Sequence, residues 1–548
     1  MKTNKITAPL LYLALTAYIF NGCSNSGNSS GDLNTDDTSV DYVSREADLT
    51  IENCAKAPGT KDITGDFKID ASDGGKFENS NDTYTLTSAG TYTLSGRLDS
   101  GKIIINAGSD DKVTLILNNV SIQCNDASPI SCVNADKLTI TAADNSYNEI
   151  NDNRSSDSSG STGLLSLSSS KSDSDDSKTD NASIYSACDL TMNGTGSLSV
   201  TGGYNNGIQS KKDLEIESVT LKSEAANHAL KGNNSVTVTS GELTLVSENG
   251  HGIKTDDNDV SSKGKQHGTV LITSGNIAIT SGKDGINSAY SIDIQGGNIA
   301  ISAEDDGMHA DTVYTGSGGK INIIKSKEGI EANSVYLNGG QTHILATDDG
   351  INASGATPVV SVNGGYTDIT TTRGDTDGID SNGSYEQSAG FVIVKAGAQM
   401  GRMAGSIDVS DKVIVTGGCC VALGGICTTP TDSVNTYSSN SLNLSAGSYK
   451  VTDKEQNVIF EFTIKESYSA GWFAADTLKT NEEYSLSSSE KEIVKWTQEE
   501  GTYGDVGTGD MGDFQKPGGD FQKPDGDFQM PDGDFPGSDS SDNNSDSF

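Results

Sequence analysis

The chain has 548 residues, and 37 Lys+Arg against 76 Asp+Glu leave a formal net charge of −39. So acidic a chain repels phosphate backbones and anionic lipid faces, which excludes nucleic acid as a partner. Hydrophobic residues make up only 33%, and 63 Gly stand beside 9 Pro among abundant Asn, Asp, Ser and Thr; thick helical cores are excluded, and short strands joined by many turns are expected.

The chain opens with Lys2 and Lys5 before an apolar run over residues 6–20. That run is shorter than the roughly 20 residues of a membrane span, so residues 1–22 are expected to be an export signal. Gly22-Cys23 followed by the polar residues 24–31 resembles a bacterial lipoprotein processing site, although Phe20 and Asn21 depart from the small or aliphatic residues usual there. The resemblance implies lipidation of Cys23, a flexible tether over 23–50, and an exported lipoprotein at the cell surface whose membrane contact is that anchor. Export permits disulfides, and by proximity alone the candidates are Cys124 with Cys132, and Cys427 with Cys419 or Cys420. With no Cys-x-x-Cys pair in the sequence, a zinc ribbon is not expected.

Residues 51–500 read as one β-rich domain. Early strands are expected over 113–120 and 137–141, and the Ser/Asp-rich run 151–180 as a loop leaving one corner. Between about 180 and 400 a short element returns: two polar residues, Gly, then an aliphatic residue. It reads Asn205-Asn206-Gly207-Ile208, a degenerate Asn227-His228-Ala229-Leu230, His251-Gly252-Ile253, Asp284-Gly285-Ile286, Asp306-Gly307-Met308, Glu328-Gly329-Ile330, Asp349-Gly350-Ile351 and Asp377-Gly378-Ile379. The aliphatic residues are 22, 23, 33, 22, 22, 21 and 28 apart, the longer intervals carrying polar insertions. Three short alternating strands and three turns per repeat of about 22 residues describe one coil of a parallel β-helix, with the aliphatic residues stacked inside and Gly favoured for unusual corner backbone angles. The pattern weakens over about 401–500, where strands at 412–416 and 458–464 are expected to complete and cap the helix end. The tail, 501–548, repeats Gly-Asp-Phe at a constant short interval from Gly512 and has too little apolar content for a core.

Two positions before the stacked aliphatic residue stand Asn206, His228, His251, Asp284, Asp306, Glu328, Asp349 and Asp377. One position after it stand Gln209, Lys231, Lys254, Asn287, His309, Glu331, Asn352 and Asp380. Coils lie about 4.8 Å apart, where two unit charges repel by about 3.5 kcal/mol at an effective dielectric near 20. A hard cation reverses that sign, and calcium favours several carboxylate and carbonyl oxygens. The candidate ligands are Asp284, Asn287, Asp305, Asp306, Glu328, Glu331, Asp348, Asp349, Asp377 and Asp380; the alternative is a merely solvated acidic edge.

These repeated corners resemble the bacterial surface carbohydrate-binding proteins built on a right-handed parallel β-helix related to polysaccharide lyases. The resemblance runs from about Gly207 to Ile379, and more weakly from about Lys61 to Ser489. It implies calcium on the helix surface and binding of plant cell-wall polymers such as cellulose and polygalacturonate.

A non-catalytic binding module for acidic polysaccharide is therefore the leading reading, with bridging calcium joining protein and uronate carboxylates. Tyr314 and Tyr336, one repeat apart, are expected to stack as a sugar platform, with Trp472 as a further candidate. A calcium-dependent polysaccharide lyase is the second reading; its base would be Arg373, Arg402, Lys254, Lys325 or Lys327. A structural or adhesive surface protein is the third.

Overall fold

The computed structural model describes residues 42–154, 181–372, 376–396 and 405–505. The export signal, Cys23, residues 155–180 of the insertion, Arg373, Arg402 and the Gly-Asp-Phe tail lie outside the described residues.

Strands such as Lys137–Ala142, Ser197–Gly202 and Thr220–Ala225 alternate buried and half-buried residues along their length. Alternation sends one set of side chains inward, and each strand pairs in parallel with its equivalent one coil on. The result is a parallel β-solenoid of about 12 turns with roughly 24 residues per turn. Insertions lift this mean above the repeat read from the corners. The one helix among the described residues is the four-residue Ile51–Cys54.

The first of three faces carries the repeated corner. Ile208, Leu230, Ile253, Ile286, Met308, Ile330, Ile351 and Ile379 are register partners in successive coils and fully buried, as their spacing requires. Ile184 precedes this column and Ile407 extends it. The corner glycines have a different cause from the one expected. None of Gly252, Gly285 or Gly307 has a positive φ. A Cβ on Gly285 would instead lie 2.6 Å from the Gly307 carbonyl oxygen, and one on Gly307 2.6 Å from that of Gly329. At these two corners the next coil approaches too closely for a Cβ, whereas Ala229 and Ser406 occupy the equivalent position in other coils. Left-handed glycines sit at another turn, between second and third faces: Gly297, Gly319, Gly340 and Gly365, with φ between 78° and 92°.

Antiparallel strands cover both ends of the parallel stack, shielding its coil edges. Lys68–Ser72 pairs antiparallel with Gly90–Leu98 at the start. At the finish Cys419–Leu423 pairs antiparallel with Gly471–Ala475, beside a four-stranded antiparallel sheet of Val458–Ile464, Gly447–Asp453, Glu483–Ser488 and Glu492–Thr497.

Two expected boundaries shift. Residues 42–50, assigned to the tether, lie along the third face: the Arg45 amide donates to Tyr366 Oη at 2.9 Å, Asn322 Nδ2 donates to the Leu49 carbonyl at 2.6 Å, and the Ser44 amide reaches the Glu461 carbonyl at 3.0 Å. Thr502–Gly504, assigned to the tail, is a strand paired with Thr436–Ser439. The candidate pairs, Cys124 with Cys132 and Cys427 with Cys419 or Cys420, are not bonded in this structure, and Cys132 Sγ instead meets Cys188 Sγ at 3.6 Å.

Candidate functional site

The corner builds two side-by-side columns. In the first, most side chains accept a hydrogen bond from the backbone amide of the same position one coil on: His228 N to Asn206 Oδ1 (3.1 Å), His251 N to His228 Nδ1 (3.1 Å), Asp306 N to Asp284 Oδ1 (3.2 Å), Glu328 N to Asp306 Oδ1 (3.3 Å) and Asp377 N to Asp349 Oδ1 (2.9 Å). Asn, neutral His and Asp all supply the acceptor, which explains why these residue types replace one another there. In the second, Lys254, Asn287, His309, Glu331, Asn352 and Asp380 are register partners in successive coils.

Charge changes along the columns. At the N-terminal coils Lys231 Nζ lies 2.6 Å and Lys254 Nζ 3.6 Å from Asp256, which the polar insertion after Ile253 supplies. Lys254 also donates to Asn287 Oδ1 at 2.6 Å. The His228 and His251 rings stack 5.2 Å apart, and burial holds His228 well below the usual imidazole range. Burial pushes Asp284 up, but His251, whose Nδ1 lies 3.3 Å from its Oδ2, and a hydrogen bond donated by Asn287 Nδ2 at 2.6 Å outweigh it and lower its pKa.

In the middle coils the positive charge is His309. Its Nδ1 lies 2.6 Å from Glu331 Oε2 and 3.6 Å from Asp306 Oδ2, and its Nε2 lies 3.4 Å from Asp311. Hydrogen bonds to Asp306 and Glu331 push its pKa up to about 10, so the ring is an imidazolium at neutral pH. The same contact lowers Glu331.

Farther along, the acids lack so close a partner among the described residues. Burial, with Asp306 and Glu331 nearby, pushes Glu328 up to about 7, against the charge of Lys327, whose Nζ is 4.0 Å away. Burial also raises Asp349 to about 6, against the amide of Asp377 and with Asp380 and Asp348 adding. Asp377 rises to about 7 through burial and the charges of Asp349, Asp408 and Asp380, against the Gly405 amide. Asp380 is raised by burial and by Asp408. Asp408 is not marked by the repeat because Gly405-Ser406-Ile407 lacks the acidic corner; its signal in the sequence is that Ile407 follows Ile379 at the same interval as Ile379 follows Ile351. Among the described residues, ligand atoms within 4.8 Å of one another occur in three groups: Asp284, Asp306 and His309; Asp306, Glu328 and Glu331; and Asp377, Asp408 and Cys427. Burial and the same aspartates push the Cys427 thiol up to about 12. Asp305 and Asp348 sit beside these columns, with Lys327 Nζ 3.9 Å from Asp305.

The tyrosine platform is not present. Tyr314 is fully buried and pairs with Val335, while Tyr336 pairs with Thr315. A bulge between Ala310 and Val313 slips this coil's register by one position, so the two rings point to opposite sides of the wall. Trp472 and Trp496 are buried as well. Of the described lysines weighed as bases, Lys325 Nζ lies 2.5 Å from Glu304, and Lys254 and Lys327 face carboxylates as given above.

A family model described as carbohydrate-binding domain-containing protein matches residues 80–375, more than half of the chain. The chain belongs to this carbohydrate-binding domain family. A carbohydrate-binding domain-containing protein of Acetivibrio thermocellus is 32% identical over 139 residues, 25% of this chain and 44% of that relative. The match thus spans less than half of the relative's length. A solved structure, the polysaccharide lyase-like protein from C. thermocellum as a gadolinium derivative, aligns over 43% of this chain and 86% of that one at 31% identity, with a TM-score of 0.36. The matched stretch of the family model contains the columns as far as Asp349; Asp377, Asp380 and Asp408 lie beyond it.

Proposed function

We propose that this chain is a non-catalytic module that binds an acidic plant cell-wall polysaccharide, of the polygalacturonate kind, along the first face, with calcium held by the C-terminal part of the acidic columns. The observation that carries the reading is the run Asp349, Asp377, Asp380 and Asp408, whose first three members are half-buried with raised pKa values and which no described cation meets in an ion pair. The donor set suits a hard cation, since it offers carboxylate oxygens on adjacent coils and flexible geometry. Around Asp306 and Glu331 the imidazolium of His309 already supplies the positive charge, so calcium belongs farther along. A uronate polymer repeats its carboxylate at short intervals, and calcium shared between uronate and protein oxygens joins two surfaces that otherwise repel. Both tryptophans and Tyr314 are buried and so are withheld from stacking on neutral sugars.

Export through residues 1–22 and a lipid at Cys23 complete the proposal: the module is held at the cell surface, facing external polymer. Retention of the protein on insoluble polygalacturonate with calcium, and its release by chelator, is the expected result. Retention unaffected by chelator sinks the calcium bridge, and no retention on any acidic glycan sinks the ligand class. Appearance of unsaturated products absorbing in the ultraviolet would replace binding alone with lyase chemistry.

A further inference from the structure

Cys132 and Cys188 are buried groups that carbohydrate binding leaves unused. Both lie inside the solenoid, 0% and 2% exposed. They belong to consecutive coils, because Ile130–Asn134 and Ala182–Ser186 are parallel neighbours with Ser186 the register partner of Cys132. Their sulfurs are 3.6 Å apart although the two positions are 56 apart in sequence. Ser186 Oγ accepts from the Cys188 amide at 3.3 Å and lies 3.4 Å from its sulfur, which fixes the turn that aims Cys188 at Cys132. The other described cysteines are placed differently: Cys54 donates to the Ile277 carbonyl, Cys124 to Asp126, and Cys420 lies beside Tyr385.

The location gives the pair a purpose. Residues 155–180 are inserted between these two coils, so the chain from Ile130 to its register partner Ile184 is more than twice as long as that from Ile286 to its partner Met308. Loop closure costs more entropy as the connection lengthens, and neighbouring-coil contacts are what hold a solenoid together. A cross-link here acts at a joint where the backbone connection is long.

We propose that Cys132 and Cys188 form an intercoil disulfide that clamps the solenoid on either side of the 155–180 insertion. In the exchange Cys188 gives up its proton first and becomes the thiolate. It attacks a disulfide oxidant, oxidised glutathione or a thiol oxidase, expelling one thiolate and leaving a mixed disulfide. Cys132 then loses its proton and displaces the second thiolate. The protein gives up two electrons and two protons, and the oxidant leaves as two thiols. Because both sulfurs are buried in the finished coil, the bond forms as the coils close and is afterwards shielded from reductant.

The test refolds the full chain from denaturant into a mixture of reduced and oxidised glutathione, alkylates it under denaturing conditions and maps peptides without reduction. The expected product joins the Cys132 and Cys188 peptides. Its Tm should lie about 5–10 °C above that of protein refolded with excess dithiothreitol, a difference kept in C124S and lost in C132S and C188S. Full alkylation of both cysteines after refolding with oxidised glutathione, or linkage of either to another cysteine, overturns the proposal. So does a linked pair with no change in Tm. Peptide mapping of the unsubstituted chain keeps the question decidable if a serine variant fails to fold.

Discussion

His309 Nδ1 and Glu331 Oε2 lie 2.6 Å apart on adjacent coils, in register partners of the outward column. This contact divides the acidic columns into two regimes. N-terminal to it, Asp284 faces His251 and Asn287, and Asp256 meets two lysines. At it, burial raises Asp306 despite His309. C-terminal to it, Asp349, Asp377 and Asp380 carry raised pKa values with no cation in an ion pair beside them among the described residues.

The contact gives stability a pH dependence of definite sign. The His309 pKa is raised, from about 6.5 for a free imidazole to about 10 in the fold. Its contribution is therefore complete below about pH 6.5 and is lost as pH rises through about 10. Chemical denaturation of H309Q should show a loss of about 1–3 kcal/mol at pH 7 that shrinks by pH 10.5. An equal loss at both pH values would show that His309 is not an imidazolium in the fold.

Calcium binding should compete with protons. Asp349 and Asp377 hold protons up to about pH 6 and 7, and a protonated carboxyl is a poor ligand. At 100 times its dissociation constant a ligand adds about 2.7 kcal/mol. The calcium-induced rise in Tm is thus expected to be largest near pH 8, to shrink toward pH 5.5, and to fall in D377N and D408N. Calorimetry across that range checks it, and a rise independent of pH and of both substitutions counts against these ligands.

The corner glycines should resist any added carbon. In G307A the new Cβ meets the Gly329 carbonyl oxygen at 2.6 Å and Ile323 Cδ1 at 2.8 Å, an overpacking cost of about 1–3 kcal/mol. G59A, whose Cβ has nothing within 4 Å, should stay within about 0.5 kcal/mol of the parent. Urea midpoints of the two variants separate close coil approach from a general intolerance of glycine replacement.

The two tyrosines should part company. Y314A removes a fully buried ring and should cost about 3–5 kcal/mol, as aromatic truncations in cores do. Y336A removes a half-buried ring on the outer side of the same wall and should leave stability within about 0.5 kcal/mol. A polysaccharide affinity lowered by Y336A at unchanged Tm would identify a sugar contact.

The sequence by itself determined the coil and its inner column. Strand alternation and an interval of about 22, lengthened by two insertions, leave the aliphatic residues from Ile208 to Ile379 only one way to be buried together, and the acids at the corners from Asp284 to Asp377 follow from the same repeat. Tertiary structure decided what small departures from the repeat do. One bulge sends Tyr314 inward and Tyr336 outward, because side chains alternate across a strand and a slip of one reverses the face. Close packing of coils, rather than backbone angle, selects glycine at the corner. Contacts between distant segments, such as Asp256 with Lys231, Cys188 with Cys132 and Arg45 with Tyr366, rest on where insertions and the N-terminal strap come to lie. Which acids meet a counter-charge is likewise a matter of neighbours in space: His309 stands beside Glu331 only because one full turn of the solenoid places the second above the first.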